Sequence, residues 1–515
     1  LELGIGQPAL SGDQRHAFGL SVRESHGQLE DRSARAASAL RAMGLVPGDR
    51  VALLGRDSER SYVAILGAAR AGLVSMGINW RLAPSEVRFV LEDAGARALL
   101  VDADRWPALA QACAELPVAE RLVALDGELE QTPSFDSWLA NAVPEAPAVA
   151  VGPDDVAVQM YTSGTTGRPK GVMLAHRSFF AVRRALREAG DPWIGWNPGD
   201  VSLVNIPSFH IGGLWWAMTG LGVGATNVVL PAFDPEHWLR AVSGERVTKS
   251  CMVPAMMQLV LESPALASAN LSSLEWIVYG GSPIPRPLLA RALESFGARL
   301  AQIYGLTETG NTAVCLPHED HLDLDSERIE AAGLPYPTVR IEVVGPDGRP
   351  LPPRAVGEIR IWSPANMLGY WQRPEATAET LRDGWVHTGD AGFVDEDGRV
   401  YVRDRVKDMV IYAGENVYPA EIESVLCAFP GVREAAVIGV PDDRWGELPI
   451  AIVVREDGAE VRARALLAHA RRELADFKVP KRIEWSAGLP RTPSGKIKKA
   501  ELRAPFWEGR SRQVN

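Results

Sequence analysis

Helical and strand patterns alternate along most of the chain. Apolar positions at helical spacing predict helices over 61–71 and 287–296, and short apolar runs predict strands at 98–101 and 203–206. Alternation of this kind favours a layered α/β architecture. The pattern holds no fixed-period repeat and no low-complexity tract, which argues against a solenoid or a disordered linker.

A charge-free run over residues 211–233 is long enough to consider a membrane helix. Five glycines, Asn227 and Pro231 interrupt it, and residues 226–230 have the pattern of a strand. We therefore predict a buried helix, a turn and a strand. The chain also opens without a basic segment and apolar core, so no signal peptide is predicted.

The pattern changes at residues 398–408, where G-R-V-Y-V-R-D-R-V-K-D carries six charges in eleven residues. Helical patterns over 419–429 and 462–475 and strand patterns over 435–439, 450–455 and 482–485 follow it. That set is enough for a small α+β domain. We predict a large N-terminal domain of several α/β layers over residues 1–404 and a small, mobile α+β C-terminal domain over 405–515, with a hinge at 405–408.

Length and charge limit the class of function. A chain of 515 residues exceeds one hydrophobic core and has room for a substantial cleft. The net charge of −11 provides no basic surface for nucleic acid. The four cysteines form no C-x-x-C pair, so neither a disulfide framework nor a zinc site is predicted, and a reducing cytoplasm is expected.

The stretch Y-T-S-G-T-T-G-R-P-K-G over 161–171 combines three glycines, four Thr or Ser hydroxyls and a lysine. Glycines let successive N–H groups converge on an anion, and hydroxyls and a lysine add donors. A Walker loop needs Gly-Lys-Ser/Thr, whereas here Pro169 precedes Lys170 and Gly171 follows it. The stretch predicts a phosphate loop of another kind, although a mobile surface turn uses the same residue types.

Four further motifs follow in order: Y-G-L-T-E-T at 304–309, W-V-H-T-G-D at 385–390, D-R-V-K-D at 404–408 and P-S-G-K-I at 493–497. With the phosphate loop, they resemble the adenylate-forming superfamily of acyl-CoA synthetases, peptide-synthetase adenylation domains and luciferase. The resemblance spans nearly the whole chain and is closest to bacterial fatty-acid–CoA ligases. It implies ATP, Mg²⁺, CoA and a carboxylic acid as cofactors and substrates.

The resemblance assigns the pyrophosphate of ATP to a cradle made by Thr162, Ser163, Gly164, Thr165, Thr166, Gly167 and Lys170. It implies that Glu308 is the Mg²⁺ ligand, that Thr307 contacts the α-phosphate and that Tyr304 lies beside the adenine. One carboxylate completed by phosphate oxygens and water suits Mg²⁺.

The remaining nucleotide contacts and the catalytic lysine are also implied by the resemblance. Asp390 is expected to accept both ribose hydroxyls, Arg405 to contact ribose or phosphate, and Lys407 to be the hinge residue. Lys496 is expected to bridge the substrate carboxylate and the α-phosphate and to neutralise charge during adenylation. A lone surface lysine is otherwise an ordinary solvated charge.

The thiol half-reaction is expected to use the loop 412–416, where Gly414 leaves room for the pantetheine arm. His210 resembles the gate between the acyl pocket and the thiol tunnel. By the same analogy, the acyl pocket is expected to be lined by Phe209–Trp216, Tyr279, Gly280, Gly281 and Gly305. Pocket volume alone discriminates poorly among apolar acids, so chain length and ring content stay open.

Two other signals are discounted. His318-Glu319-Asp320-His321 has ligand-type residues, but without a third partner it favours a solvated loop over a metal site. The glycines of 220–225 loosely fit a dinucleotide fingerprint but have no strand–turn–helix setting.

The leading hypothesis is an AMP-forming acyl-CoA ligase for a medium- to long-chain fatty acid. The alternatives are a CoA ligase for an aryl or alicyclic acid, a stand-alone enzyme that loads a carrier protein, luciferase-like oxygenation, and a non-enzymatic nucleotide or acyl sensor. We expect small-molecule partners, with a homodimer and a peripheral membrane contact left open.

Overall fold

The structure is a computed structural model. It describes residues 24–145, 149–162, 169–191, 193–405, 408–412, 415–442, 446–474, 476, 478–491 and 497–508. For residues 404, 405, 411, 415, 416 and 446 it describes the backbone alone.

The α-helices of the described residues are α1 (His26–Ala42), α2 (Glu59–Arg70), α3 (Pro84–Ala94), α4 (Trp106–Cys113), α5 (Phe135–Ala140), α6 (Ala181–Glu188), α7 (Ile211–Val223), α8 (Pro235–Glu245), α9 (Pro254–Glu262), α10 (Arg286–Phe296), α11 (Pro374–Thr380), α12 (Pro419–Cys427), α13 (Ala463–Glu473) and α14 (Lys499–Arg503). Short 3₁₀ helices lie at Pro117–Glu120, His176–Phe179, Pro264–Ser268, Thr307–Thr309, His318–His321, Glu327–Glu330 and Ala504–Phe506.

The strands are β1 (Arg50–Leu54), β2 (Val74–Gly77), β3 (Ala96–Asp102), β4 (Leu122–Asp126), β5 (Val156–Thr162), β6 (Lys170–Ala175), β7 (Val201–Val204), β8 (Thr226–Val229), β9 (Lys249–Met252), β10 (Trp276–Gly280), β11 (Arg299–Tyr304), β12 (Val314–Leu316), β13 (Leu334–Pro335), β14 (Arg340–Val344), β15 (Gly357–Trp362), β16 (Gly369–Tyr370), β17 (Leu381–Arg382), β18 (Trp385–Val394), β19 (Val400–Arg405), β20 (Val410–Tyr412), β21 (Glu415–Val417), β22 (Val432–Asp442), β23 (Gly446–Arg455) and β24 (Arg482–Trp485).

Two largely parallel sheets form the centre of the large region. The first has the order β16-β6-β5-β2-β1-β3-β4, and the second has the order β13-β12-β11-β10-β9-β7-β8. Strands buried on both faces read as continuous apolar runs, as Val51, Leu53 and Leu54 of β1 illustrate. Helices pack against both sheets. The phosphate loop follows β5 of the first sheet, and the motif at 304–309 begins at the last residue of β11 in the second.

Two further sheets complete the fold. The third is antiparallel, with the order β14-β15-β18-β17 and with β19 paired to β18. The fourth has the order β21-β20-β23-β22, with β24 parallel to β23, and helices α12 and α13 pack over its core. The mixed α/β fold class and the small α+β unit predicted from the sequence are confirmed.

The element predictions agree with the structure to within a few residues at most boundaries. The charge-free run is the buried helix α7, a left-handed turn at Gly224 and strand β8, as expected. Among the described residues, we find no helix long and apolar enough to cross a membrane.

Candidate active site

The phosphate loop joins two antiparallel strands. Thr162 at the end of β5 pairs in register with Lys170 at the start of β6. The hydroxyl of Tyr161 donates to Asp93 Oδ2 at 2.7 Å, and Arg373 pairs with the other oxygen of that carboxylate at 2.5 Å. Burial raises the pKa of Tyr161, which keeps this hydroxyl a neutral donor. The base of the loop is therefore held firmly, while residues 163–168 lie outside the described residues.

A closed turn after β11 carries Thr307 and Glu308. Asn311 N donates to Leu306 O at 3.0 Å, and Gly310 N donates to Thr307 O at 3.1 Å. Gly305 has no room for a side chain, since an added Cβ would lie 1.7 Å from Asn311 O. The turn thus fixes the direction of the two side chains through its own backbone.

Tyr304 and Asp390 meet although they are 86 residues apart. The Tyr304 hydroxyl donates to Asp390 Oδ2 at 2.7 Å, and Asp390 is 4% exposed. The H-T-G turn before Asp390 is held by Glu358, whose Oε1 accepts from Gly389 N at 3.1 Å. His387 Nδ1 lies 2.9 Å from Glu358 Oε2. Two of the predicted nucleotide contacts, one on β11 and one on β18, are therefore hydrogen-bonded to each other.

A short bridging segment, residues 367–371, connects the phosphate-loop strand to the Glu308 turn. Its backbone donates from Met367 N to Glu308 O at 2.8 Å and from Trp371 N to Gly171 O at 2.7 Å. The Tyr370 hydroxyl donates to Glu308 Oε1 at 2.8 Å, and Lys170 Nζ lies 5.1 Å from the centre of the Tyr370 ring. The structure thereby brings Lys170 to the ring and Glu308 to the hydroxyl of one side chain.

His210 precedes the first residue of α7 and is held by its neighbours. Ser208 donates to Asp57 through both its N–H, at 2.7 Å, and its hydroxyl, at 2.5 Å. A Cβ on Gly77 would lie 2.9 Å from the Phe209 Cα, so the loop sits directly on the end of β2. Burial raises the pKa of the Asp57 carboxyl to about 6, against the two bonds from Ser208 that lower it.

An apolar cavity lies between α6, α7 and the Glu308 turn. The volume of this cavity is about 30 Å³, and Gly310 and Thr312 line it on the side of the turn. Trp193 and Trp215 face it with ring centroids 5.8 Å apart. Of the predicted acyl-pocket residues, Trp215 lines this cavity, whereas Gly281 lies at an exposed turn with φ of +83° after β10.

Several predicted site residues cannot be compared with the structure. Ser163, Gly164, Thr165, Thr166, Gly167, Lys407, Gly414 and Lys496 lie outside the described residues. Arg405 is described by its backbone, which pairs in register with Asp390. Its side-chain role stays a prediction.

The expectation of a solvated loop at 318–321 is wrong. The segment is a 3₁₀ helix, and His321 is fully buried with Nε2 2.9 Å from the Tyr279 hydroxyl. Burial lowers the pKa of His321 to about 4, so the ring is neutral. The sequence did not predict that His321 is a core residue, because its partner Tyr279 lies 42 residues earlier in the chain. Among the described residues no group of three or more His, Cys, Asp or Glu could hold a metal.

The chain matches the AMP-binding enzyme family over residues 7–371 and the AMP-binding enzyme C-terminal domain over residues 421–496. The chain belongs to the AMP-binding enzyme family. The superfamily resemblance of the five motifs is thereby confirmed.

Relatives of this AMP-binding enzyme are ligases. It is 49% identical to the fatty acid–[acyl-carrier-protein] ligase ScoC of Streptomyces coeruleorubidus, over 95% of this chain and 93% of ScoC. It is 41% identical to a feruloyl-CoA synthase of Amycolatopsis, over 94% of each chain. The crystal structure of ATP-bound MatB from Rhodopseudomonas palustris superposes with a TM-score of 0.84 at 33% identity, over 93% of each chain.

Membership confirms several predictions. The protein is an enzyme, an acid–thiol ligase of the AMP-forming acyl-CoA synthetase type, and the cofactors of its family are ATP, Mg²⁺ and CoA. Three side chains of the site were missed by sequence reasoning: Tyr370, Asp57 and Glu358. Each acts on a partner far along the chain, so no local pattern marks it.

Proposed function

We propose that this enzyme activates a medium- to long-chain fatty acid as an acyl adenylate and transfers the acyl group to the thiol of CoA. The observation that carries the choice of acid is the 49% identity shared with the fatty acid ligase ScoC over 95% of this chain. A small cavity lined by Gly310 and Thr312, two and four residues after Glu308, lies beside the same turn.

In the first half-reaction, an oxygen of the substrate carboxylate attacks the α-phosphorus of ATP. A new P–O bond forms, and the bond to pyrophosphate breaks. We assign the pyrophosphate to Thr162 and Lys170, which pair in register at the ends of β5 and β6, together with the donors of 163–167 that lie between them in the sequence. Lys496 neutralises charge at the α-phosphate and Thr307 donates to it.

The nucleoside is held by the pair on the third and second sheets. Asp390 accepts the ribose hydroxyls and Tyr304 lies against the adenine. The 2.7 Å hydrogen bond from the Tyr304 hydroxyl to Asp390 fixes the two side chains relative to each other. Arg405, adjacent in register to Asp390, adds a contact to ribose or phosphate.

Glu308 suits a magnesium ion. Its carboxylate is a hard oxygen donor on a rigid turn, with one oxygen already oriented by Tyr370. The bound ion supplies charge neutralisation to the phosphates of ATP. Glu308 would hold it together with phosphate oxygens and water.

In the second half-reaction, the thiol sulfur attacks the acyl carbon and a C–S bond forms. The bond from that carbon to the phosphate oxygen breaks, AMP leaves, and the thiol proton is released. We propose that residues 405–408 are the hinge between a large domain, 1–404, and a small domain, 405–515. Rotation about Lys407 exchanges Lys496 for the Gly414 loop, and His210 controls passage of the thiol.

A second candidate is an aryl acid passed to CoA or a carrier protein. Trp193 and Trp215, whose rings are tilted by 57° to each other, offer aromatic contacts in the cavity. The relatives include a feruloyl-CoA synthase and a carrier-protein ligase. AMP release should be measured with straight-chain acids of increasing length and with aryl acids, each with CoA or a phosphopantetheinyl carrier protein as the acceptor. We expect the highest turnover with medium and long straight chains and CoA. A preference for aryl acids, or for the carrier protein, would replace our choice of acid or acceptor.

A further inference from the structure

We propose that Tyr370 is a positioning residue that fixes the Glu308 carboxylate and the Lys170 ammonium relative to each other. This inference rests on the proposed function, in which these two groups meet the metal and the phosphates. It adds a residue to which the five motifs assign no role.

The hydroxyl of Tyr370 sets the orientation of the carboxylate. It donates to Glu308 Oε1 at 2.8 Å, and the Tyr370 side chain is buried. A ligating carboxylate held by a second hydrogen bond is oriented before the metal arrives, and loss of such a partner typically weakens metal affinity by about 10- to 100-fold. The hydroxyl therefore prepares Glu308 for the ion.

The ring of Tyr370 contacts the lysine. Lys170 Nζ lies 5.1 Å from the ring centroid, within the distance at which a ring face attracts a cation. Lys170 is the first residue of β6, directly after the phosphate loop. One side chain thus contacts both a predicted phosphate donor and the predicted metal ligand.

The backbone keeps Tyr370 from moving independently. Residues 369–370 form β16, which pairs with β6 at Met173 and Val172. Tyr370 N donates to Thr377 Oγ1 at 2.9 Å, at the side of α11. On the other side, Met367 N is bonded to Glu308 O. The ring consequently has a fixed place between the first sheet, which bears Lys170, and the turn after β11 of the second sheet.

The Tyr370→Phe variant isolates the hydroxyl because the ring beneath Lys170 remains. Its ATP–pyrophosphate exchange should be titrated with Mg²⁺, and its affinity for the Mn²⁺–ATP complex should be measured by calorimetry. We expect the half-saturating Mg²⁺ concentration and the Mn²⁺–ATP dissociation constant each to rise about tenfold. Affinity for AMP, which lacks the β- and γ-phosphates, should stay within about twofold, a change worth less than half a kcal/mol.

Two further variants define the mechanism. Tyr401→Phe removes a phenol that donates to Asp395 Oδ2 at 3.2 Å outside the site, and it should match the wild type in every measurement. In a Glu308→Gln background, Tyr370→Phe should add little, because the carboxylate that the Tyr370 hydroxyl orients has already been removed.

The inference is overturned if Tyr370→Phe leaves Mg²⁺ and Mn²⁺–ATP affinities at wild-type values, or if its effect is as large in the Glu308→Gln background. Failure of the proposed function looks different. A wild type without acid-dependent exchange would refute the function, while Mn²⁺–ATP binding would still decide the role of Tyr370. Thermal melting of each variant separates misfolding from loss of metal.

Discussion

Replacing Gly305 with alanine tests whether the turn after β11 fixes the catalytic groups. An added Cβ would lie 1.7 Å from Asn311 O and 2.7 Å from its carbonyl carbon. Carbon–oxygen contacts in proteins are about 3.3 Å or longer, so the two backbones must separate by roughly 1.5 Å. The clash is with backbone, which has no rotamer by which to escape.

That displacement reaches Glu308 because the turn is closed. Asn311 N is bonded to Leu306 O, and the Glu308 carbonyl accepts from Met367 N. A misplacement of about 1 Å can cost about 100-fold in rate, and overpacking typically costs about 1–3 kcal/mol of stability. We expect Gly305→Ala to lose about 100-fold in acid-dependent ATP–pyrophosphate exchange, measured well below its melting temperature.

The control is Gly152→Ala, on the surface of the same large region. The nearest atom to its added Cβ is Asp155 Oδ2 at 3.7 Å, an ordinary contact. This variant should keep wild-type exchange and stability. If Gly305→Ala loses less than about threefold in exchange, which corresponds to about 0.7 kcal/mol, the turn does not position the site and the reasoning is wrong.

Three other predictions address the nucleotide, the catalytic lysine and the buried carboxyl. Tyr304→Phe removes the 2.7 Å bond to Asp390 and should raise the KM for ATP about tenfold with a smaller change in kcat; a fall in kcat alone would contradict nucleotide positioning. Lys496→Ala should abolish adenylate formation yet still pass a supplied acyl adenylate to CoA, and full ATP–pyrophosphate exchange in this variant would disprove the assigned role. The pKa of Asp57 is raised from 3.8 to about 6, so the folded state holds this proton longer than the unfolded state and wild-type stability falls as pH rises from about 4 to about 6. Asp57→Asn removes this dependence, so its melting temperature should gain on the wild type across that window, and a pH-independent difference would refute the assignment.

Much of the fold could be read from local patterns. The helix at 287–296 is α10, Arg286–Phe296, and the strand at 482–485 is β24. Both follow from side-chain periodicity, which depends on near neighbours. The apolar run at 211–233 was divided correctly because glycine and proline break helices by local sterics.

For the candidate site, the sequence predicted which residues take part but not which of them contact each other. The motifs predicted that Tyr304 and Asp390 both contact the nucleotide, but their 2.7 Å bond is a product of the third sheet docking beside the second. The expectation for His321 failed for the same reason, since Tyr279, 42 residues earlier, buries it.

The sequence by itself determined the order of the motifs, the α/β class and the reaction type, because these depend on residue identity and short-range spacing. Only the tertiary structure decided which groups touch. Tyr370 meets Glu308 across 62 residues, and Asp57 meets Ser208 across 151. Such contacts form when separately folded layers pack and their buried polar groups must find partners. These contacts depend on how distant segments pack together, so neither the periodicity nor the composition of the sequence predicts them.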